Sequence, residues 1–504
     1  MNNHKKILLF YCLFLFLLFL GNVPLLDPDE PVYGETAKEM LAAGDWLSPR
    51  IYGDFWYDKP PLFYWLEAAF FSIFGISTFS ARLPSALIAA ATVLYTYSAA
   101  RRLLDEKTAF LGSLILASSL EFTVIARSSV TDMTLTAALT AALFSFLEKR
   151  YVLAYISCGA ALLAKGPVGF GFPALIVAIW LIAQKRFTWK PIMALKWYWG
   201  IPLACVVGLP WYLYMTAVHG SAFVDTFLGY HNLTRFAQPE HAGQDHWWLY
   251  IVVLAAGCFP WSGAVFAMMS RLRAFCRDPV RLYLLVWAGF IFLFFSASST
   301  QLFSYILPMF PPLSLLAALY LKEMTETGPS KVFAGTHIFF LLLTAGALAA
   351  APLMPTGGLL VKYGFPVLLA ASGLAGLWAW RRLRFSWFCT VQCALSFCVM
   401  AIVWTAYAPA VREDFTSMDL SAKVLTTERD ERPLYIDPFY RPASAFYHDL
   451  YGRKMPDLEK GETPITGPAY LLVQKKVWKD WPLQEKSQWH TIWEEKHSLF
   501  LEKS

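Results

Sequence analysis

The stretch DPDEPVYGETAKEM, Asp27 to Met40, comes directly after the first long apolar run of the chain. Its first four positions hold three carboxylates, Asp27, Asp29 and Glu30. The residues from Tyr33 onward have the spacing of an amphipathic helix that stops at Gly44, so one carboxylate would suffice as an N-terminal cap, with Pro31 in the first turn. Three acids beside a run that has just left an apolar phase call for a second explanation. Which side of a membrane they face decides it.

The composition establishes that a membrane is involved. The chain has 504 residues, 57% hydrophobic and 15% charged, with a mean hydropathy of +0.45. A soluble domain lies nearer half apolar and a quarter charged. Forty Phe, 24 Tyr and 20 Trp suit a protein with many membrane interfaces. A net charge of only +6 gives no support to nucleic-acid binding. The eight cysteines lie almost all in apolar runs without a CxxC pair, and read as buried thiols rather than a disulfide or metal framework. Lys5 and Lys6 precede ILLFYCLFLFLLFLG, which is longer than a signal-peptide core and lacks a small-x-small cleavage site before DPDE. It reads as an uncleaved first span.

Runs able to cross about 30 Å of hydrocarbon occur near 7–26, 84–104, 109–127, 131–148, 152–165, 167–184, 197–218, 247–269, 282–298, 302–321, 332–353, 363–380 and 386–408, about thirteen in all. The segment 61–76 carries Glu67 and reads as an interfacial helix. One alternating set of loops holds Lys5/Lys6, Arg101/Arg102/Lys107, Lys149/Arg150, Lys185/Arg186/Lys190, Arg271/Arg273/Arg277/Arg281, Lys322/Lys331 and Arg381/Arg382/Arg384. By the positive-inside rule these loops and the N-terminus are cytoplasmic. The loop 27–83, the other alternate loops and the tail from 410 are then extracytoplasmic. The expected fold is an all-α polytopic membrane unit, residues 1–409, followed by a small α/β extracytoplasmic domain, 410–504. In that tail PLYIDPF and AYLLVQKK read as strands, RPASAFYHDLYG as a helix ended by Gly452, and TIWEEKHSLFLEK as a final strand.

The outward loops collect the remaining ionisable and polar groups: Asp29, Glu30 and Tyr33; Asp58 and Lys59 in FWYDKPPLFYW; Arg127 and Asp132; Lys165; His231, Arg235, His241 and His246; Gln301 and Tyr305. Charge at membrane depth usually marks a functional cavity. Each group also has a plainer reading: Asp58–Lys59 as a surface ion pair, Asp132 and Lys165 as snorkelling helix ends, Arg127 as an interfacial anchor. The histidines, ten and five residues apart, match no compact metal-ligand spacing, so no metal or other cofactor is expected. A D-x-D holding nucleotide-sugar phosphates would need cytoplasmic substrate. Outside the cytoplasm an activated sugar arrives on a polyprenyl phosphate. Cations such as Lys59, Arg127, Lys165 and Arg235 could hold its phosphate, and a carboxylate such as Asp29 could take a proton from the acceptor.

The ordered motifs DPDEPVYGETAKEMLAAGDW, FWYDKPPLFYW, ARLPSAL, VTDMTL, LLAKGPVGF, GLPWYLYM, YHNLTRF, CFPW and SYILPMFPPLSLL resemble bacterial membrane glycosyltransferases of the protein O-mannosyltransferase superfamily, and among them most the lipid A aminoarabinose transferases. The resemblance covers about the first 410 residues. It implies a C-type glycosyltransferase fold and metal-independent, inverting transfer from an undecaprenyl-phosphate sugar in the bacterial inner membrane. It places Asp29, Glu30 and Asp132 among the catalytic positions. It assigns Tyr33, Asp58, Lys59, Lys165, Arg235 and Tyr305 to lipid phosphate or substrate, with His231 and Arg127 beside them. The acceptor would be lipid A, where an amino sugar masks negative charge and confers polymyxin resistance, or another glycan or a protein hydroxyl. Two departures stand out: Val32 replaces an arginine, and Gln301 a lysine. A lipid flippase or transporter, and a non-catalytic polyprenyl-phosphate scaffold, are the readings from other classes.

Overall fold

The computed structural model describes residues 2–234, 248–328, 330–350, 352, 359–458 and 461–503. The chain is mostly helical. Helix α1 (Asn3–Leu17) leads through the acidic loop into α2 (Asp29–Ala43). Asp29 and Glu30 sit in the first turn of α2, where its dipole favours them, and Gly44 ends it with φ 65°, as the sequence indicated. A two-residue turn, Tyr52-Gly53, joins the short strands β1 (Arg50–Ile51) and β2 (Asp54–Phe55). Helix α3 (Leu62–Phe74) lies against α2 and α4 (Thr78–Leu103). Then come α5 (Glu106–Ser118), α6 (Leu120–Ala126), α7 (Asp132–Leu147), α8 (Tyr151–Lys165), α9 (Val168–Ala183), α10 (Trp189–Ala194) and α11 (Trp197–Val224). Helix α7 packs on α8 and α4, and α11 runs along α8.

Among the described residues seven helices are long and apolar enough to cross a membrane, or eight with one bent pair counted as a span. The expected count of about thirteen is therefore not met by length alone. Helices α3, α7, α8 and α9 are apolar but shorter. Two expected spans are broken. The run 109–127 bends by 65° between α5 and α6, and 247–269 divides into Leu249–Gly257 and Ser262–Met268 around the CFPW turn. The two breaks repair one another. The Leu120 N–H donates to the Phe259 carbonyl at 2.9 Å, and the Trp261 indole to the Ser118 hydroxyl at 2.8 Å. Irregular backbone at membrane depth persists only where such partners exist.

Beyond residue 433 the chain forms a five-stranded mixed sheet, order β4-β3-β5-β7-β6. Its strands are β3 (Leu434–Ile436), β4 (Arg453–Lys454), β5 (Ala469–Gln474), β6 (Trp489–Glu494) and β7 (Ser498–Lys503). Strand β3 runs parallel to β4 and β5, and β7 antiparallel to β5 and β6. The expected single last strand is in fact the hairpin β6–β7. The helix Arg441–His448 ends at Asp449, φ 53°, three residues before the expected Gly452. One large apolar core fills the helical part, and the sheet buries both faces in cores of its own.

Candidate active site

The three carboxylates of the stretch Asp27–Glu30 have three different environments. Asp27 is buried and accepts hydrogen bonds from the Ser417 N–H and hydroxyl, both at 2.8 Å, and from the Ala443 N–H at 3.1 Å. It thereby satisfies an otherwise orphan N–H at the start of the helix Arg441–His448. Burial outweighs these bonds and pushes the carboxyl up to about 8. Glu30 is clamped to Arg82 of α4 by two bonds of 2.9 and 2.6 Å. It also accepts the Ser129 and Leu26 N–H groups at 2.7 and 2.9 Å. Asp29 alone of the three is exposed, at the N-terminus of α2.

These contacts bear on two of the expected site residues. All four acceptor positions of Glu30 are engaged, and through Arg82 it fixes α2 on α4. Arg127 is buried and donates to the carbonyls of Leu15, Phe16 and Leu18 at 2.8, 3.1 and 2.7 Å. It thus satisfies the last carbonyls of α1 instead of a phosphate. Arg82 and Arg127 both lie over the Trp404 ring, 5.2 and 4.8 Å from its centroid. Arg82 belongs to the ARLPSAL motif, and its signal in sequence is an arginine inside an otherwise apolar helix.

The remaining groups gather around Tyr33. Its ring is buried against Phe63 and Tyr64. Burial pushes the phenol upward, and the charges of Asp58, Asp132 and Asp29 add to it. Carboxylates from three separate segments are thus near enough to act on its charge. Two of them carry a cation. Lys59 donates to Asp58 at 2.8 Å, and Lys165, at the end of α8, to Asp132, at the start of α7, at 2.5 Å. The Lys165 ammonium lies 4.3 Å from the centroid of the Tyr305 ring. Helix ends supply these groups because α8 and α7 terminate at the same level. The Thr131 hydroxyl fixes that level by donating to the Ala164 carbonyl at 2.8 Å.

The His231 side chain and all of Arg235, His241 and His246 lie outside the described residues. The Gln301 amide donates to the carbonyls of Ser296 and Ser298 at 3.4 and 3.3 Å. Among the described residues no three His, Cys, Asp or Glu groups are arranged to hold a metal ion. Two carboxyl groups are not singled out by the sequence as site residues. Glu67 of α3, buried, accepts the Ser129 hydroxyl and so backs the Glu30–Arg82 pair. Glu121 of α6 is buried beside the helix break with neither oxygen hydrogen-bonded. Each is marked in sequence only by being a lone acid within apolar surroundings.

Comparison with known proteins gives the family. The family model described as dolichyl-phosphate-mannose-protein mannosyltransferase matches residues 58–214. An undecaprenyl phosphate-alpha-4-amino-4-deoxy-L-arabinose arabinosyl transferase of Aeromonas salmonicida is 30% identical over 392 residues, 74% of this chain and 70% of the relative. The corresponding transferase 1 of Proteus mirabilis is 31% identical over 368 residues, 69% of this chain. The matches span 66% of the Proteus mirabilis protein's length and 60% of that from Edwardsiella ictaluri. The crystal structure of ArnT from Cupriavidus metallidurans bound to undecaprenyl phosphate superposes with a TM-score of 0.79 at 22% identity, covering 99% of this chain and 97% of that one. The fold is thus shared over nearly the whole length. With identity of this extent to the curated relatives, the chain belongs to the family of the undecaprenyl phosphate-aminoarabinose arabinosyl transferases.

Proposed function

We propose that this protein transfers a sugar from an undecaprenyl-phosphate donor to an acceptor on the extracytoplasmic face of the bacterial inner membrane. The two ion pairs Asp58–Lys59 and Asp132–Lys165, with the exposed Asp29 at the N-terminus of α2, carry the reading. In this mechanism an acceptor oxygen attacks the anomeric carbon as the bond from that carbon to the phosphate oxygen breaks, and the configuration inverts. Asp29, the exposed carboxylate, takes the acceptor's proton. Lys59 and Lys165 stabilise the charge that develops on the leaving undecaprenyl phosphate. Their carboxylate partners hold both ammonium groups in place before the donor arrives. By the resemblance, Arg235 and His231 would contact the donor as well. No metal enters the reaction.

The basic loops support a cytoplasmic N-terminus, with the segment 27–83 and the tail from 410 outside. Counting α1, α7, α8, α9 and the broken 249–268 stretch with the longer helices gives about thirteen crossings. We divide the chain at residue 410 into a membrane transferase unit and an extracytoplasmic α/β domain. Lipid A is the acceptor that the resemblance favours, with polymyxin resistance as the consequence; the relatives' names give an undecaprenyl-phosphate donor. Val32 and Gln301 favour a second reading, in which another glycan or a protein hydroxyl is the acceptor, because a cation is missing at each. Purified Asp29→Asn protein should lose transfer of label from a polyprenyl-linked sugar while remaining folded. Full transfer by that variant would sink the mechanism, and a transporter would keep its flux.

A further inference from the structure

Beside α9 lies a pocket that the transfer reaction does not use, with its mouth at the end of the helix away from Lys165. Helices α8, α9, α10 and α11 enclose a cavity of about 220 Å³. It runs along α9 from Phe170 to Leu181, about 16 Å of helix. Every lining side chain is apolar or aromatic apart from Cys158 and the Tyr155 hydroxyl, and that hydroxyl is already donated to the Leu195 carbonyl at 3.0 Å. The cavity is therefore a slot for hydrocarbon.

Its mouth has the opposite character. Lys185 and Arg186 immediately precede the lining residue Phe187, Lys190 lies two residues from Ile192, and Lys196 immediately precedes Trp197. All four cations lie at the surface. From Lys149 to Val224 the sequence contains no Asp or Glu, so no acid in this segment neutralises them. Phe187 and Trp189 stand 51% and 68% exposed beside the cations, as rings do at the level of lipid headgroups. A dry slot under an uncompensated basic rim is complementary to a molecule with an acyl chain and an anionic head.

We infer that this pocket is a binding site for one anionic phospholipid. An acyl chain lies along α9, and the phosphate is held by Lys190 and Lys196 with Arg186 and Lys185 around them. The basic mouth lies beyond the C-terminal end of α9, whereas Lys165 lies just before its N-terminus, so the phosphate seat is separate from the donor's.

Native mass spectrometry of the full chain released from micelles containing phosphatidylglycerol or phosphatidylcholine with the same acyl chains tests the site. The wild type should retain one phosphatidylglycerol about tenfold more than phosphatidylcholine. Lys190→Glu with Lys196→Glu should bring phosphatidylglycerol retention down to the phosphatidylcholine level. Ala178→Phe, which fills the slot, should lower retention of both lipids. Unchanged thermal unfolding of each variant in lipid-free micelles shows that the fold is kept. Equal retention of the two lipids by the wild type, or retention indifferent to both variants, would overturn the inference. So would one-for-one displacement of phosphatidylglycerol by undecaprenyl phosphate, which would make the slot a seat for the donor's tail.

Discussion

Replacing Glu30 by Gln separates positioning from chemistry at the start of α2. The Glu30 carboxylate accepts four N–H groups and donates none. A Gln amide must turn its NH2 towards two of those donors: either the Arg82 Nη2 and Leu26 N–H, or the Arg82 Nε and Ser129 N–H. Two hydrogen bonds to a charged acceptor are lost, each about 1.5–3 kcal/mol. Arg82, fully buried, keeps the carbonyls of Leu20, Val23 and Pro24 but has no counter-charge. Breaking a buried pair from one side costs about 3–5 kcal/mol, a large share of a typical total of about 5–15 kcal/mol. Glu30→Gln should therefore unfold well below the wild type when tryptophan fluorescence is monitored on heating in micelles. Transfer per folded molecule should fall far less than in Asp29→Asn, whose unfolding temperature should barely move. Glu30→Gln with wild-type stability and no transfer would make Glu30 a direct participant and refute the assignment.

Asp27 supplies a pH signature. Its carboxyl is held protonated up to about 8 in the folded chain and ionises near 3.8 in the unfolded one. The folded state therefore binds the extra proton between those values, and stability falls as pH rises through that window, by up to about 1.4 kcal/mol per unit. The difference in unfolding temperature between wild type and Asp27→Asn should shift steadily from pH 5 to 8 and then level off; parallel curves would contradict it. Arg127→Met should cost about 2–3 kcal/mol by orphaning carbonyls at the end of α1, with transfer per folded molecule retained. Loss of transfer at full stability would instead make Arg127 a phosphate ligand. Lys165→Met should raise the KM for donor about tenfold or more, the equivalent of one charge-assisted bond; an unchanged KM would exclude Lys165 from the donor site. Gly34→Ala should cost about 1–3 kcal/mol, because its new methyl would lie 2.9 Å from the Phe446 ring. Calorimetry showing no loss would mean that α2 and the helix Arg441–His448 separate easily.

The sequence is most readable where one local signal decides the outcome. Asp29, Pro31 and Gly44 bound α2 at both ends, and β3, β5 and the helix at 441 arise from their own patterns. It is least readable where distant segments decide. Hydropathy counts apolar residues and carries no information on direction, so the bends at Ser119 and at CFPW are hidden within continuous apolar runs. Each is tolerated only because the other supplies its hydrogen-bond partner. The same holds for the charges. Adjacency groups Glu30 with Asp29, but helical geometry turns neighbours about 100° apart, and Arg82, 52 positions away, claims one of them. Loop membership groups Arg127 with the phosphate-holding cations, whereas its guanidinium points back to α1.

The grip of Asp27 on Ser417, 390 positions later, and on Ala443, 416 positions later, bears on how the protein comes into being. The acidic loop is made hundreds of residues before the segments that hold it. Every span between them must be inserted before that contact can close. A chain cut short before Ser417 would thus carry Asp29, Lys59 and Lys165 and yet leave the start of α2 without its anchor. Completion of the site is in effect a report that synthesis and insertion have passed residue 443.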